Sequence, residues 1–168
     1  MRFVALAILL ALGLGHSASA QTATVLNIPD IQGESNLFGY EDQIDVLNWS
    51  QSVSNVAGMP VVLPLEFFHQ VDKASPKLVE ATLAGTDLGT VVLSVLRTGA
   101  QGVSEYITIK LNQAKIVAVK TSGSDSGTTL PASEVVTMSC GSFVMIYRPI
   151  ENDGSPGPSV ETMGSCGN

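Results

Sequence analysis

The chain has 168 residues, 45 % of them hydrophobic and 14 % charged. That is enough for one domain with a real core, and too apolar for a disordered chain. Eight basic residues stand against fifteen acidic ones, a net charge of −7. Nothing here would neutralise a phosphate backbone, which excludes nucleic acid as a partner, and no run of like charges forms a basic arm or an acidic tail.

Residues 1–20 carry the marks of a secretory signal peptide. Arg2 supplies the basic start, Phe3 to Leu14 form an apolar run too short for a comfortable membrane span, and Ala18-Ser19-Ala20 is a small-x-small cleavage site. Cleavage after Ala20 is expected. It removes Arg2, so the eight basic residues become seven against fifteen acidic ones and the charge moves from −7 to −8. No later stretch approaches membrane length, so the mature chain is expected to be soluble and either periplasmic or secreted, without a membrane span.

Residues 21–150 are expected to form one mainly β domain. "VLNI" (25–28), "QIDVLNW" (43–49) and "VVLPLEFFHQV" (61–71) supply the early strands, with Pro64 marking an edge or a bulge. One short helix interrupts them. Ser75 is placed as its N-cap, Pro76 as its first residue and Gly85 as its left-handed stop. Leu78 and Leu83 are expected to bury its face on the sheet, because about nine residues are too few to be helical alone. "TVVLSVLR" (90–97) puts Val91, Leu93 and Val95 on one face. "YITIKLN" (106–112) alternates Ile107, Ile109 and Leu111 against Tyr106, Thr108, Lys110 and Asn112. "AKIVAVKTS" (114–122) continues after a bend near Asn112-Gln113, and "VVTMSCGSFVMIYRP" (135–149) gives two strands about a bend at Gly141. "TSGSDSGTTLP" (121–131) is expected to be a connecting loop, and residues 151–168 a flexible tail without apolar period.

The search for chemistry yields no catalytic, cofactor-binding or metal-binding residues. After cleavage His69 is the only histidine, so a Ser-His-Asp or Cys-His arrangement would have to use it, and a structural or surface role is favoured. Glu34, Glu41, Asp42 and Asp45 lack calcium-loop spacing, and no Lys-Ser/Thr follows Gly127 to complete a phosphate loop. Asn48-Trp49-Ser50 is formally a glycosylation sequon. Cys140 and Cys166 form either a disulfide, as an even count in an exported chain invites, or leave Cys140 a buried thiol beside Val136 and Met138. Closing a loop of this length contributes about 3–4 kcal/mol in the chain-entropy model.

"VDKASPKLVEATLAGTDLGTVVLSVLR" resembles the central signature of the Hcp family, the haemolysin-coregulated tail-tube proteins of type VI secretion systems. Asp72, Lys73, Ser75, Pro76, Leu78 and Leu83 carry that signature. Gly33-Glu34-Ser35, Ile44-Asp45-Val46, Trp49-Ser50 and Ser54-Asn55 are similar to the family's early segment, "YITIKLNQAKIVAV" to its long strand, and Pro131, Glu134, Val136, Phe143, Tyr147 and Pro149 to its final hairpin. The resemblance covers roughly residues 25–150. It implies a small antiparallel β-barrel of two packed sheets with one short α-helix at the side. It further implies a homo-hexameric ring, rings that stack into a tube, and effector proteins in the lumen, with no cofactor. Cys140 stands where these proteins usually carry a large apolar residue, which favours the buried thiol, and Gln51 stands where an aromatic is common. The chain ends soon after the domain, so no fused toxin is expected. Family tube proteins assemble in the cytoplasm without a cleaved leader, whereas this chain opens with one. A tube component therefore competes with an exported filament subunit or surface binding module; an enzyme is disfavoured for want of a histidine–carboxylate constellation.

Overall fold

A computed structural model describes residues 22–99, 102–123, 132–151 and 155–166. The expected leader and residues 124–131 of the expected loop, Pro131 included, lie outside the described residues. The strands are β1 (Thr22–Asn27), β2 (Ile44–Asp45), β3 (Asn48–Ser50), β4 (Val53–Val56), β5 (Met59–Val62) and β6 (Leu65–Gln70). The helix α1 (Ser75–Ala84) follows, then β7 (Val91–Gly99), β8 (Gly102–Asn112), β9 (Lys115–Ser122), β10 (Ser133–Ser139), β11 (Ser142–Tyr147) and β12 (Val160–Ser165).

These strands form two main antiparallel sheets, as expected, plus a separate hairpin. One sheet runs β12-β11-β8-β7-β1-β2, the other β3-β6-β10-β9, and β4-β5 stands apart. The two sheets pack on one shared core, and residues 46–47 bond to both, the Val46 amide donating to the Thr24 carbonyl of β1 at 2.9 Å and the Leu47 amide to the Phe68 carbonyl of β6 at 2.8 Å. The chain passes between them at corners. Gln113 has φ 52 where β8 leaves the first sheet for β9 in the second, and Cys140-Gly141 turn β10 of the second into β11 of the first. The two corners touch, since the Gly141 amide donates to the Asn112 carbonyl at 2.9 Å.

Alternation builds the core. Leu26, Leu93 and Ile109 are opposite one another on the first sheet, and Val91 and Leu111 beside them. On the second, Leu65, Met138 and Ile116 form one row and Phe67, Val136 and Val119 the next. Most of these side chains are fully buried. Burial of each removes on the order of 1.5–3 kcal/mol of exposed apolar surface cost. Thr108 was expected on an outer face, yet it is only 3 % exposed, as is Ser94 at 4 %. They lie in a second buried row across the sheet, Val25-Ser94-Thr108-Ile146. Arg148, paired with Glu105 at 3.3 Å, reaches Thr108 there.

Three expectations need correction. Leu83 is 85 % exposed, whereas Leu78 at 0 % and Ala81 at 7 % face the core. Five residues at about 100° each set Leu83 roughly 140° from Leu78, and Ala81 takes the inward place. Ser75 caps nothing: Ala74 occupies the cap position, and the Ser75 hydroxyl accepts from the Asp72 amide at 3.2 Å. Gly85 does end the helix at φ 62, with the Gly85 and Thr86 amides donating to Thr82 and Ala81. The expected flexible tail contains β12, which pairs antiparallel with β11 from Ser142↔Ser165 to Tyr147↔Val160. Strand pairing needs only backbone groups and an open edge, so the lack of an apolar period in 160–165 did not prevent it.

Candidate functional site

The conspicuous outward element is the hairpin β4-β5, which the apolar pattern alone did not reveal. It is a two-residue hairpin in which Ala57 (φ 53) and Gly58 (φ 86) both sit in the left-handed region, the geometry of a type I′ turn. The Asn55 side chain accepts from the Gly58 amide at 2.8 Å and fixes the turn. Every β4 side chain is exposed. Val53, Val56, Met59 and Leu63 are 58, 56, 66 and 50 % exposed. An isolated pair of strands is marginal in water, and one that displays apolar side chains has the character of a contact surface.

The signature residues have a different job, which is local architecture. The Asp72 carboxylate accepts from the Ala74 amide at 2.9 Å, and Glu34 accepts from the Lys73 amide at 3.2 Å. The Lys73 ammonium meets Asp42 at 2.6 Å. Lys73 therefore ties the start of α1 to the 33–43 loop through its amide and its ammonium, bringing together two stretches far apart in sequence, while Asp72 and Ser75 shape the turn that presents it. That loop closes on itself through Gly33 to Asp42 and Ser35 to Gln43 at 2.7 and 2.9 Å. Gly33 is needed there, because a Cβ would run into the Gln43 and Ile44 backbone. Burial pushes the Asp72 carboxyl above its ordinary range, opposed by the Ala74 amide and then by His69. Burial also raises the Tyr40 hydroxyl, with the Glu105 charge adding to it, so this loop lies beside the Glu105–Arg148 pair. Pro76 is at the start of the helix and Leu78 is its inward anchor, while Leu83 and half of Val79 face outward.

His69 is the residue a catalytic reading would require, and it is sealed inside. It follows Leu65 and Phe67 on the inner face of β6, opposite Glu134 on β10 and beyond that Thr121 on β9. His69 is 0 % and Glu134 2 % exposed. The Thr121 hydroxyl donates to Glu134 at 2.7 Å, while the His69 Nε2–Glu134 approach of 3.2 Å is too poorly aligned for a hydrogen bond. Asp72 lies 3.9 Å from Nδ1. The row is a polar layer at one end of the core, closed to any substrate. Glu134 enters the family resemblance through the final hairpin, and its alternation with Val136 and Met138 also puts it on the His69 face. Among the described residues no three His, Cys, Asp or Glu side chains gather as metal ligands, and no helix is long and apolar enough to cross a membrane. An open groove of about 310 Å³ beside α1 is lined by residues such as Asp30, Lys77, Glu80 and Asp87 and by no histidine or cysteine. The two cysteines are bonded to each other, Cys140 buried at the corner and Cys166 half-buried just after β12.

Two packed antiparallel sheets, one side helix and a projecting apolar hairpin define a mainly β module. A family model described as "Type VI secretion system effector, Hcp" matches residues 25–151, and the chain belongs to that family, the type VI secretion tube components. It is 29 % identical over 140 residues to Protein hcp1 of Pseudomonas aeruginosa, covering 77 % of this chain and 85 % of that protein. The fold is shared with Hcp1 from Salmonella typhimurium at a TM-score of 0.72 and 24 % identity, over 86 % of this chain and 94 % of the other. A type VI secretion system effector from Yersinia pestis gives a TM-score of 0.71 at 25 % identity, over 84 % of this chain and 98 % of the other. A further structure, described as a type six secretion system protein, reaches 0.79 at 18 % identity, over 86 and 96 % of the two chains.

Proposed function

We propose that the mature chain works without catalysis as a ring-forming subunit, six copies closing through one repeated heterologous contact and the rings stacking into a tube that holds effector proteins. The observation that carries this reading is the exposed apolar hairpin β4-β5 on a member of the tube family. A hairpin with Val53, Val56 and Met59 in water gains by burial against a neighbouring copy. The outward Leu83 and Val79 of α1 offer a second apolar contact. Light scattering after size exclusion, with electron microscopy of the same fractions, tests the reading. A hexameric mass and closed rings are expected; a strictly monomeric mass at tens of micromolar and no rings on grids overturn it.

A second reading concerns place. We infer that the chain leaves the cytoplasm by the general secretory route, is cut after Ala20, and acts in the periplasm or outside the cell as a soluble ring or filament. Its support is the apolar run Phe3 to Leu14 with Ala18-Ser19-Ala20, together with the Cys140–Cys166 bond, which persists in oxidising compartments. N-terminal mass analysis of protein from fractionated cells decides it. A product starting at Gln21 outside the cytoplasm is expected, and one starting at Met1 confined to the cytoplasm returns the chain to the ordinary tube role.

A further inference from the structure

Strand β12 is held by very little besides its backbone and one covalent bond. Its six residues lie at a sheet edge, and only Gly164, which has no side chain, is even half-buried. Val160 and Met163, the apolar residues that could anchor it, are 68 and 72 % exposed. Gly164 lies under the Phe143 ring so closely that a Cβ would overlap it, so even this contact is made by a residue without a side chain. Immediately after the strand, the Cys166 amide donates to the Gly141 carbonyl at 3.0 Å, and its sulfur is bonded to Cys140. Cys140 is no ordinary anchor point. It is buried at the corner where β10 of one sheet becomes β11 of the other, so the bond ties the outermost strand to the joint between the sheets.

We propose that the Cys140–Cys166 disulfide is a redox-sensitive clasp on the edge of the six-stranded sheet. Oxidised, it keeps β12 shut on β11. Reduced, β12 leaves, and the β11 edge from Ser142 to Tyr147 presents unpaired backbone donors and acceptors to any incoming strand. The same chain thus shows a closed edge in an oxidising compartment and an open one in a reducing compartment. The chemistry is ordinary exchange. A thiolate of a dithiol attacks the half-buried Cys166 sulfur, the S–S bond breaks, and Cys140 leaves as a thiolate that takes up a proton. The second thiol of the reductant then closes its own disulfide and releases Cys166, so the chain gains two electrons and two protons and the dithiol loses them. The bond forms by the reverse sequence with a protein or small-molecule disulfide as acceptor.

Hydrogen exchange read by mass spectrometry on the full chain, before and after dithiothreitol, tests the clasp. Thiol titration first establishes that both cysteines are free. Exchange in 160–165 and 142–147 is expected to rise roughly tenfold or more, while 91–99 and 102–112 stay protected. Cys166→Ser, which leaves Cys140 a buried thiol and only exchanges one sulfur for an oxygen beside the core, should reproduce the rise without reductant and respond no further to it. Unchanged protection of 160–165 in the fully reduced chain overturns the proposal. So does an equal rise across all strands, which would make the bond a general staple and not a clasp on one edge.

Discussion

At the scale of single residues, the helix shows how one position separates a core contact from a surface one. Leu78 is fully buried in the main core cluster, and Leu83 is 85 % exposed. Leu78→Ala should therefore lower stability by about 2–5 kcal/mol. Leu83→Asp should lower the stability of the isolated subunit by no more than about 1 kcal/mol, the cost of a poorer helix former and of an acid in the last helical turn. If Leu83→Asp melts early while Leu78→Ala does not, the helix is turned the other way. Asp72 gives a second test. Its carboxyl is pushed up by burial, so the folded chain favours the protonated form more than the unfolded chain does. The cost of ionising it is fully present above the raised value, fades as pH falls through it, and is gone below the ordinary value near ~3.9. Asp72→Asn keeps an acceptor for the Ala74 amide and removes the ionisation. The stability difference, Asn minus Asp, should grow between pH 4 and pH 6.5 in paired urea titrations, and a flat difference would sink the assignment.

At the scale of elements, the hairpin β4-β5 carries the surface argument. Val56→Lys with Met59→Lys should leave the far-ultraviolet spectrum and melting midpoint of the subunit nearly unchanged, because both side chains are more than half exposed. The same pair should abolish the higher-order species expected in light scattering, since each new ammonium would be desolvated in any contact made there. Retention of full assembly in this variant would show that the hairpin touches no neighbour. This element was the least legible in the sequence. "SVSNVAGMPVV" buries only its last residue, Val62, so no period of two separates inside from outside, and Pro60 reads as a breaker although it sits in a hairpin edge. The Ala57-Gly58 turn was the available signal, weaker than Asn-Gly because alanine pays for its left-handed φ. Strands with a buried face were legible throughout: β6, β7, β8, β10 and β11 all follow the alternation of their apolar residues. Strand β12 was not, for the same reason as the hairpin, because edge pairing runs through the backbone and leaves no mark on side-chain pattern. The Asp72–Ser75 signature was visible as a motif, but its link to Glu34 and Asp42 depends on tertiary proximity that no local spacing encodes.

At the scale of the whole molecule, charge and apolar surface oppose one another. Each full chain carries −7, and a chain cut after Ala20 carries −8 because Arg2 is lost and no acidic residue precedes the cut. Copies brought side by side repel through that charge, while the apolar side chains of β4-β5 attract by burial, which is nearly indifferent to salt at moderate concentration. Screening then decides the balance. The Debye length is about 30 Å at 0.01 M salt and about 8 Å at 0.15 M, so repulsion between neighbouring subunits extends across a whole domain in the first case and only across the contact rim in the second. Assembly should therefore strengthen with salt. Sedimentation at fixed protein concentration should show the large species growing at the expense of the small one between 0.01 and 0.15 M sodium chloride, with little further change at 0.5 M. Ion pairs such as Lys73–Asp42 and Lys77–Glu80 lie within one chain, and their screening does not oppose this trend between chains. A decrease of the large species on adding salt would mean that complementary charges, and not the apolar hairpin, hold the copies together.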